Sequence, residues 1–308
     1  MYKMNVYRDL TQLVGRTPMI EAPREPGALA RVLLKLEYFN PGGSVKDRVA
    51  LSMIVDAERS GRLRAGATII EPTSGNTGVG LAWVGAVRGY NVILTMPDTM
   101  SLERRNLLRA YGARLELTPG AEGMKGAIDR AEQLEAEIDG AVILGQFVNP
   151  ANPKIHQETT GIEIFDDTGG MVDVFVAGAG TGGTVTGVGR ALRSRKPEVE
   201  IIAVEPASSA VLSTGVAGKH KIQGIGAGFV PEVYDSDVVS RVLTVTDEDA
   251  MRSARALSRR MGLLAGISSG AAYAAAARLA TLPEYDGKNI VALLPDTGER
   301  YLSTGIFD

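Results

Sequence analysis

The sequence predicts an α/β protein built from two open, twisted, mostly parallel sheets flanked by helices. Three observations carry that prediction. Short apolar runs rich in β-branched residues recur along the chain, helical patterns separate most of them, and one strand–turn–helix unit occurs twice. Such alternation implies parallel strands with helices on both faces of each sheet. At 308 residues the chain suits two lobes of about 100–200 residues each.

Arg31–Tyr38 reads as an early strand, preceded by Pro23, Pro26 and Gly27. Lys46–Ser60 then has a helical pattern, Thr68–Glu71 is strand-like, and Thr77–Arg88 is helical again. The alternation continues with strand Asn91–Met96, helix Leu102–Tyr111, strand Arg114–Leu117, helix Met124–Ile138 and strand Ala141–Phe147. The second half repeats it, with strand Val172–Ala177, helix Gly183–Arg195, and strands Glu200–Val204 and Val242–Val245. Helices Glu248–Met261 and Ser269–Ala280 and strand Asn289–Leu294 complete it. Ser101 and Asp247 stand where N-caps belong, and Gly61, Gly89, Gly112 and Gly262 follow helix ends.

The repeated unit is Thr68–Gly78 and again Val172–Thr184: a strand, a turn of small residues and a helix start. It implies two lobes facing one cleft, because open α/β sheets bind ligands beyond their strand C-termini. The boundary falls near Gln146–Pro153. The lobes are 1–148 and 149–308, with early strands at about 12–38 left open to pairing with the other lobe.

Composition narrows the chemistry. With no cysteine, disulfides, thiolate zinc sites, iron–sulfur clusters and cysteine nucleophiles are excluded together. Only His156 and His220 supply imidazoles, so no metal site is expected. The formal charge of −3 argues against nucleic acid as a partner. No apolar stretch is long enough to cross a membrane, and Met1–Val14 lacks the apolar core of a signal peptide. A cytoplasmic protein is expected. Lysine, hydroxyl, amide and carboxylate groups, or a borrowed cofactor, must do the chemistry.

Two motifs mislead when read literally. Gly178–Gly183 matches the dinucleotide pattern G-x-G-x-x-G, with Glu205 ending the next strand. The physical content is a helix N-terminus aimed at an anion, which suits a pyrophosphate or a single phosphate. Thr181 and Thr184 add hydroxyl donors, yet the turn alone leaves NAD and a phosphate monoester both open. Gly266–Gly270 matches the nucleophile elbow G-x-S-x-G, but that fold needs a histidine after the serine. Both histidines here precede Ser268. Lys46 draws attention for another reason: it follows a Gly-rich loop at a predicted helix start, where cations are disfavoured. A partly desolvated amine there is more readily neutral, which suits Schiff-base formation with a carbonyl.

Eight motifs, in order and at compatible spacing, make the sequence similar to the cysteine synthase (O-acetylserine sulfhydrylase) family of pyridoxal-phosphate enzymes, fold type II, with a tryptophan synthase β-like fold. They are Pro41–Arg48, Glu71–Gly78, Met96–Arg105, Gln146–Pro153, Gly180–Thr184, Ile222–Phe229, Gly266–Ala271 and Pro295–Ser303. The resemblance implies a pyridoxal 5′-phosphate cofactor held by Lys46 as a Schiff base. Lys46, once freed, takes the Cα proton of the substrate. Gly180, Thr181, Gly182, Gly183 and Thr184 cradle the phosphate, Asn76 bonds the cofactor's 3′ oxygen, and Ser268 faces the pyridine nitrogen. Thr73, Ser74, Gly75, Asn76, Thr77 and Gln146 bind the substrate carboxylate, with Gly224 lining the acetyl side.

The implied activity is that of a transferase in cysteine biosynthesis. O-acetyl-L-serine loses acetate through an α-aminoacrylate intermediate, and sulfide adds to give L-cysteine. A serine rather than a carboxylate at the pyridine nitrogen favours β-elimination and β-replacement over transamination. The family implies a homodimer and a possible partner in the C-terminus of serine acetyltransferase. Cystathionine β-synthase-like or O-phosphoserine sulfhydrylase activity on the same core, an NAD-binding dehydrogenase and a non-catalytic partner-binding module are the rivals. Gly145 departs from the family, many members of which carry a second glutamine there.

Overall fold

The computed structural model describes residues 6–308. Met1–Asn5, the start of the segment read above for a signal peptide, lie outside the described residues. In chain order the strands are β1 (Met19–Glu21), β2 (Arg31–Leu36), β3 (Thr68–Pro72), β4 (Asn91–Pro97) and β5 (Arg114–Thr118), followed by β6 (Val142–Ile143), β7 (Val174–Gly178), β8 (Glu200–Pro206), β9 (Arg241–Val245) and β10 (Asn289–Leu294).

The chain divides into two compact units. One comprises the segment ending at Arg16 together with Asn40–Gln146, and the other Thr17–Phe39 with Phe147–Asp308. In the first, a four-stranded sheet has the order β5-β4-β3-β6, every pair parallel. Ile70 and Ile93 of its inner strands pack on Ala131 and Leu134 of the Gly123–Glu137 helix. In the second, a six-stranded sheet has the order β1-β2-β10-β7-β8-β9, and only the β1–β2 pair is antiparallel. Its central strands bury Val174, Val176, Ile202, Val204, Ile290 and Ala292. Parallel strands covered on both faces read as unbroken apolar runs, which is why these were legible in sequence. Alanines of the Ile267–Ala280 helix, Ala271, Ala275 and Ala276, let that helix lie close against the same core.

Several expectations need correction. Asp247 is the first helical residue of Asp247–Met261 rather than its cap. Thr246 is the cap, accepting the Asp249 N–H, while Asp247 accepts the N–H of Lys221 at 2.9 Å. The expected strand Ala141–Phe147 shrinks to Val142–Ile143, because the N–H groups of Gly145 and Gln146 turn to the Glu71 carboxylate and Gly145 adopts φ 71°. The early strand stops at Leu36, and Glu37–Phe39 forms a 3-10 turn. A helical run went unread: Ala151–Ile155, a π-helical turn at His156–Thr160 and Gly161–Asp167. Its pieces are short, with a proline inside the first and a polar π turn between the two α-helical pieces, so no single period marks them.

Candidate active site

In the first unit, Lys46 opens the Lys46–Arg59 helix and is half-buried. The preceding loop is set by Asp47, whose buried carboxylate accepts the Gly42 N–H at 2.5 Å and the Trp83 indole N–H at 3.0 Å. The helix beginning at Asn76 packs against this one, and a Cβ at its Gly80 would lie 3.0 Å from the Lys46 carbonyl. Lys46 and the Thr73–Thr77 loop thus belong to two adjoining helix starts, where the positive ends of peptide dipoles gather.

The Thr73–Thr77 loop runs from the end of β3 into Asn76–Arg88. Gly75 is the N-cap and has no side chain to satisfy the first-turn N–H groups, which leaves donors for an anion. Thr73 Oγ1 accepts the Gly75 N–H at 3.2 Å, and the Arg104 guanidinium donates to the Ser74 carbonyl at 3.4 Å. Thr77 donates its hydroxyl proton to Gln146 Oε1 at 2.6 Å, so two residues far apart in sequence meet here. Glu71 fixes the other half of that pair. Its oxygens accept the N–H groups of Gln146 at 3.0 Å and Gly145 at 2.9 Å. Burial pushes the Glu71 carboxyl above the usual carboxylate range, opposed by the N–H groups of Gln146, Gly145 and Leu144.

In the second unit, β7 ends in a turn that opens the Gly183–Arg193 helix. Its N-cap, Gly182, has φ 81°, a left-handed conformation that suits glycine. Thr181 and Thr184 are buried here. Thr181 Oγ1 accepts from Asn152 Nδ2 at 3.0 Å and from the Gly183 N–H at 3.3 Å. Thr184 Oγ1 lies 3.3 Å from His156 Nε2, and His156 Nδ1 lies 2.9 Å from Thr160 Oγ1. The helical run at Ala151–Thr160 therefore braces the turn. A Cβ at Gly183 would lie 2.1 Å from Asn152 Oδ1, and one at Gly187 would lie 2.0 Å from the Pro153 carbonyl oxygen.

The same unit brings two more expected residues to this turn. A Cβ at Gly180 would lie 2.3 Å from the Gly224 carbonyl oxygen, and one at Gly224 would lie 3.5 Å from Ser268 Oγ. Ser268 is the second residue of the Ile267–Ala280 helix and is 2 % exposed. Anion-binding N–H and hydroxyl groups at one end, with a buried serine hydroxyl beyond Gly224, fit a phosphate monoester carrying a ring nitrogen. The dinucleotide reading fits less well. Glu205, the carboxylate it needs for a ribose, instead accepts the Leu212 N–H at 2.7 Å and the Ser213 N–H and hydroxyl at 3.1 and 2.5 Å.

Sequence reasoning assigned no role to Asp47, Glu71, Asn152 or His156. All but His156 lie inside motifs already singled out, and His156 is one of only two histidines. Their burial, which sequence does not display, marks them.

The sequence profile of the pyridoxal-phosphate dependent enzymes matches residues 10–296. A cysteine synthase of Staphylococcus aureus is 51% identical over 302 residues, covering 97% of this chain and 96% of that protein. Among solved structures, a cysteine synthase from Entamoeba histolytica superposes with a TM-score of 0.96 at 43% identity, over 100% of this chain and 92% of that one. O-acetyl serine sulfhydrylase isoform 3 of the same organism gives 0.95 at 45% identity, over 100% and 93%.

Proposed function

The chain belongs to the pyridoxal-phosphate dependent enzyme family, and on that premise we propose that it makes L-cysteine from O-acetyl-L-serine and sulfide, the activity of a cysteine synthase. The observation that carries this reading is 51% identity to a cysteine synthase along nearly the full length of both chains.

Pyridoxal phosphate, when bound, supplies an electrophilic carbon for the amino group and a ring that accepts electrons from Cα. The protein supplies the rest. The Lys46 amine would hold the cofactor and, once released, take the Cα proton of the amino acid and later return it. Gly180, Thr181, Gly182, Gly183 and Thr184 would bind the phosphate through N–H and hydroxyl donors, with Asn152 and His156 holding the two threonines. Ser268 would donate a hydrogen bond to the ring nitrogen without fixing a proton there, which supports β-replacement rather than transamination. Asn76 would hydrogen-bond the cofactor's 3′ oxygen. Thr73, Ser74, Gly75, Asn76, Thr77 and Gln146 would bind the substrate carboxylate, and Gly224 would border the acetyl group.

We also propose a homodimer, a cytoplasmic location and recognition of the C-terminal peptide of a serine acetyltransferase as the finer parts of this reading. No helix among the described residues is long and apolar enough to cross a membrane. The lack of cysteine suits a reducing compartment.

The test is a spectral titration of the purified holoenzyme with O-acetyl-L-serine and then sulfide. The cofactor absorbance should shift on the first addition and return on the second, with L-cysteine released. A spectrum that ignores O-acetyl-L-serine, or a shifted one that sulfide does not restore, would overturn the assignment.

A further inference from the structure

Glu71 is the penultimate residue of β3, two residues before the expected carboxylate loop begins at Thr73. It is 1 % exposed and makes no salt bridge among the described residues. Its two oxygens are instead occupied by the N–H groups of Gly145 and Gln146, at 2.9 and 3.0 Å. Those bonds tie down the segment that carries the Gln146 side chain, whose Oε1 receives the Thr77 hydroxyl at 2.6 Å. A carboxylate held in this way has a cost in desolvation that a simple strand end would not incur. What it obtains is a fixed Gln146 opposite Thr77, two groups from separate elements aligned by one strand terminus.

We propose that Glu71 is a positioning residue for recognition of the substrate α-carboxylate, acting through the backbone of Gly145–Gln146 to set the Gln146–Thr77 pair. The inference rests on the reading of Thr73–Thr77 and Gln146 as the carboxylate site. Glu71 touches neither substrate nor cofactor in this role. Both of its oxygens must accept, and an amide of the same shape offers only one acceptor. Glu71→Gln would therefore turn an NH2 group toward the N–H of Gly145 or of Gln146. One buried donor would then lose its partner, at about 1–3 kcal/mol, or roughly 5–150-fold in an equilibrium.

The test compares two ligands on the holoenzyme by cofactor absorbance: L-serine, which carries the α-carboxylate, and ethanolamine, which lacks it. Wild-type protein should bind L-serine far more tightly. Glu71→Gln should weaken L-serine by at least about tenfold and leave ethanolamine within about threefold, so the preference collapses. A merely structural role would move both ligands together, and that result would overturn the proposal, as would an unchanged L-serine affinity. Combining Glu71→Gln with Gln146→Ala should cost no more than Gln146→Ala alone; additive losses would overturn it too. Should Glu71→Gln fail to fold, Glu71→Asp keeps two acceptors on a shorter arm and must show the same selective loss in smaller measure. If wild-type protein itself does not prefer L-serine, the carboxylate-site reading fails rather than the role of Glu71.

Discussion

Replacing Gly183 by alanine tests whether the second-unit turn is shaped for a phosphate. The new Cβ would sit 2.1 Å from Asn152 Oδ1 and 2.5 Å from its Cγ, far inside contact distance. Asn152 is fully buried and donates to Thr181 at 3.0 Å. It therefore has little freedom to swing away without breaking that bond. Either the helix start moves or Asn152 releases Thr181. Overpacking of this kind costs about 1–3 kcal/mol, and the lost hydrogen bond adds about 1 kcal/mol. If binding the cofactor must force the turn back into shape, affinity falls by roughly 5–150-fold from the first contribution alone.

Gly189→Ala is the matched control. Gly189 lies on the same helix as Gly183, at a position with no expected ligand contact, and its Cβ would meet Val238 Cγ1 at 2.3 Å. Apoenzyme prepared from each variant would be titrated with pyridoxal phosphate and followed by absorbance, with thermal unfolding in parallel. Both variants should lose stability, but only Gly183→Ala should lose cofactor affinity. Equal affinity losses in the two, or wild-type affinity in a folded Gly183→Ala protein, would refute the argument that Asn152 and Thr181 hold the phosphate site in shape.

Other outcomes follow from the same geometry. Lys46→Ala should lower turnover by about 10²–10⁴-fold, the usual contribution of a positioned acid–base group, and borohydride should attach the cofactor to Lys46 in the parent protein as read by peptide mass. Ser268→Asp puts a carboxylate at a site that is 2 % exposed, and steady-state assays should show β-replacement depressed at least about tenfold. Asp47→Ala leaves the Trp83 indole and Gly42 N–H groups without their acceptor, and urea unfolding should register a loss of about 2–4 kcal/mol. Bidentate bonding by Arg88, at 2.9 and 2.7 Å, holds the Glu58 carboxyl below its ordinary value of 4.5. The ionised form is thus the one that stabilises the fold. Glu58→Gln should cost about 0.5–1 kcal/mol at pH 7, and the difference from wild type should vanish as the pH falls through the folded-state value.

The central strands were legible because burial on both faces writes itself as continuous apolar runs, as in Glu200–Pro206 and Asn289–Leu294. The helix starts at Lys46 and Asn76 were legible because glycine and hydroxyl residues precede amphipathic or small-residue patterns. Ala141–Phe147 misled for a reason that local pattern cannot contain. Its apolar residues suit a strand, but a carboxylate at residue 71 claims the N–H groups that a longer strand would have used. Asp247 misled differently: Thr246 and Asp247 both qualify as caps, and a distant Lys221 N–H draws the aspartate away. The helical run from Ala151 to Asp167 was missed because its pieces obey different periods, with a π turn in the middle.

The glycines explain why motifs scattered along the chain act together. At Gly42 a Cβ would strike the Trp83 indole and the Asp47 carboxylate, at 2.5 and 2.6 Å. At Gly180 it would strike the backbone of Gly224, and at Gly183 the amide of Asn152. In each case the missing side chain makes room for a polar group from another segment, not simply for an unusual backbone angle. At Gly42 the Asp47 carboxylate accepts the freed N–H, and beside Gly183 the Asn152 amide donates to the Thr181 hydroxyl. Glycine at one position and a polar residue at another are therefore a single structural unit. Changing either alone leaves a steric clash or an orphaned donor, which is why the motifs read as weak one at a time and as specific when taken in order.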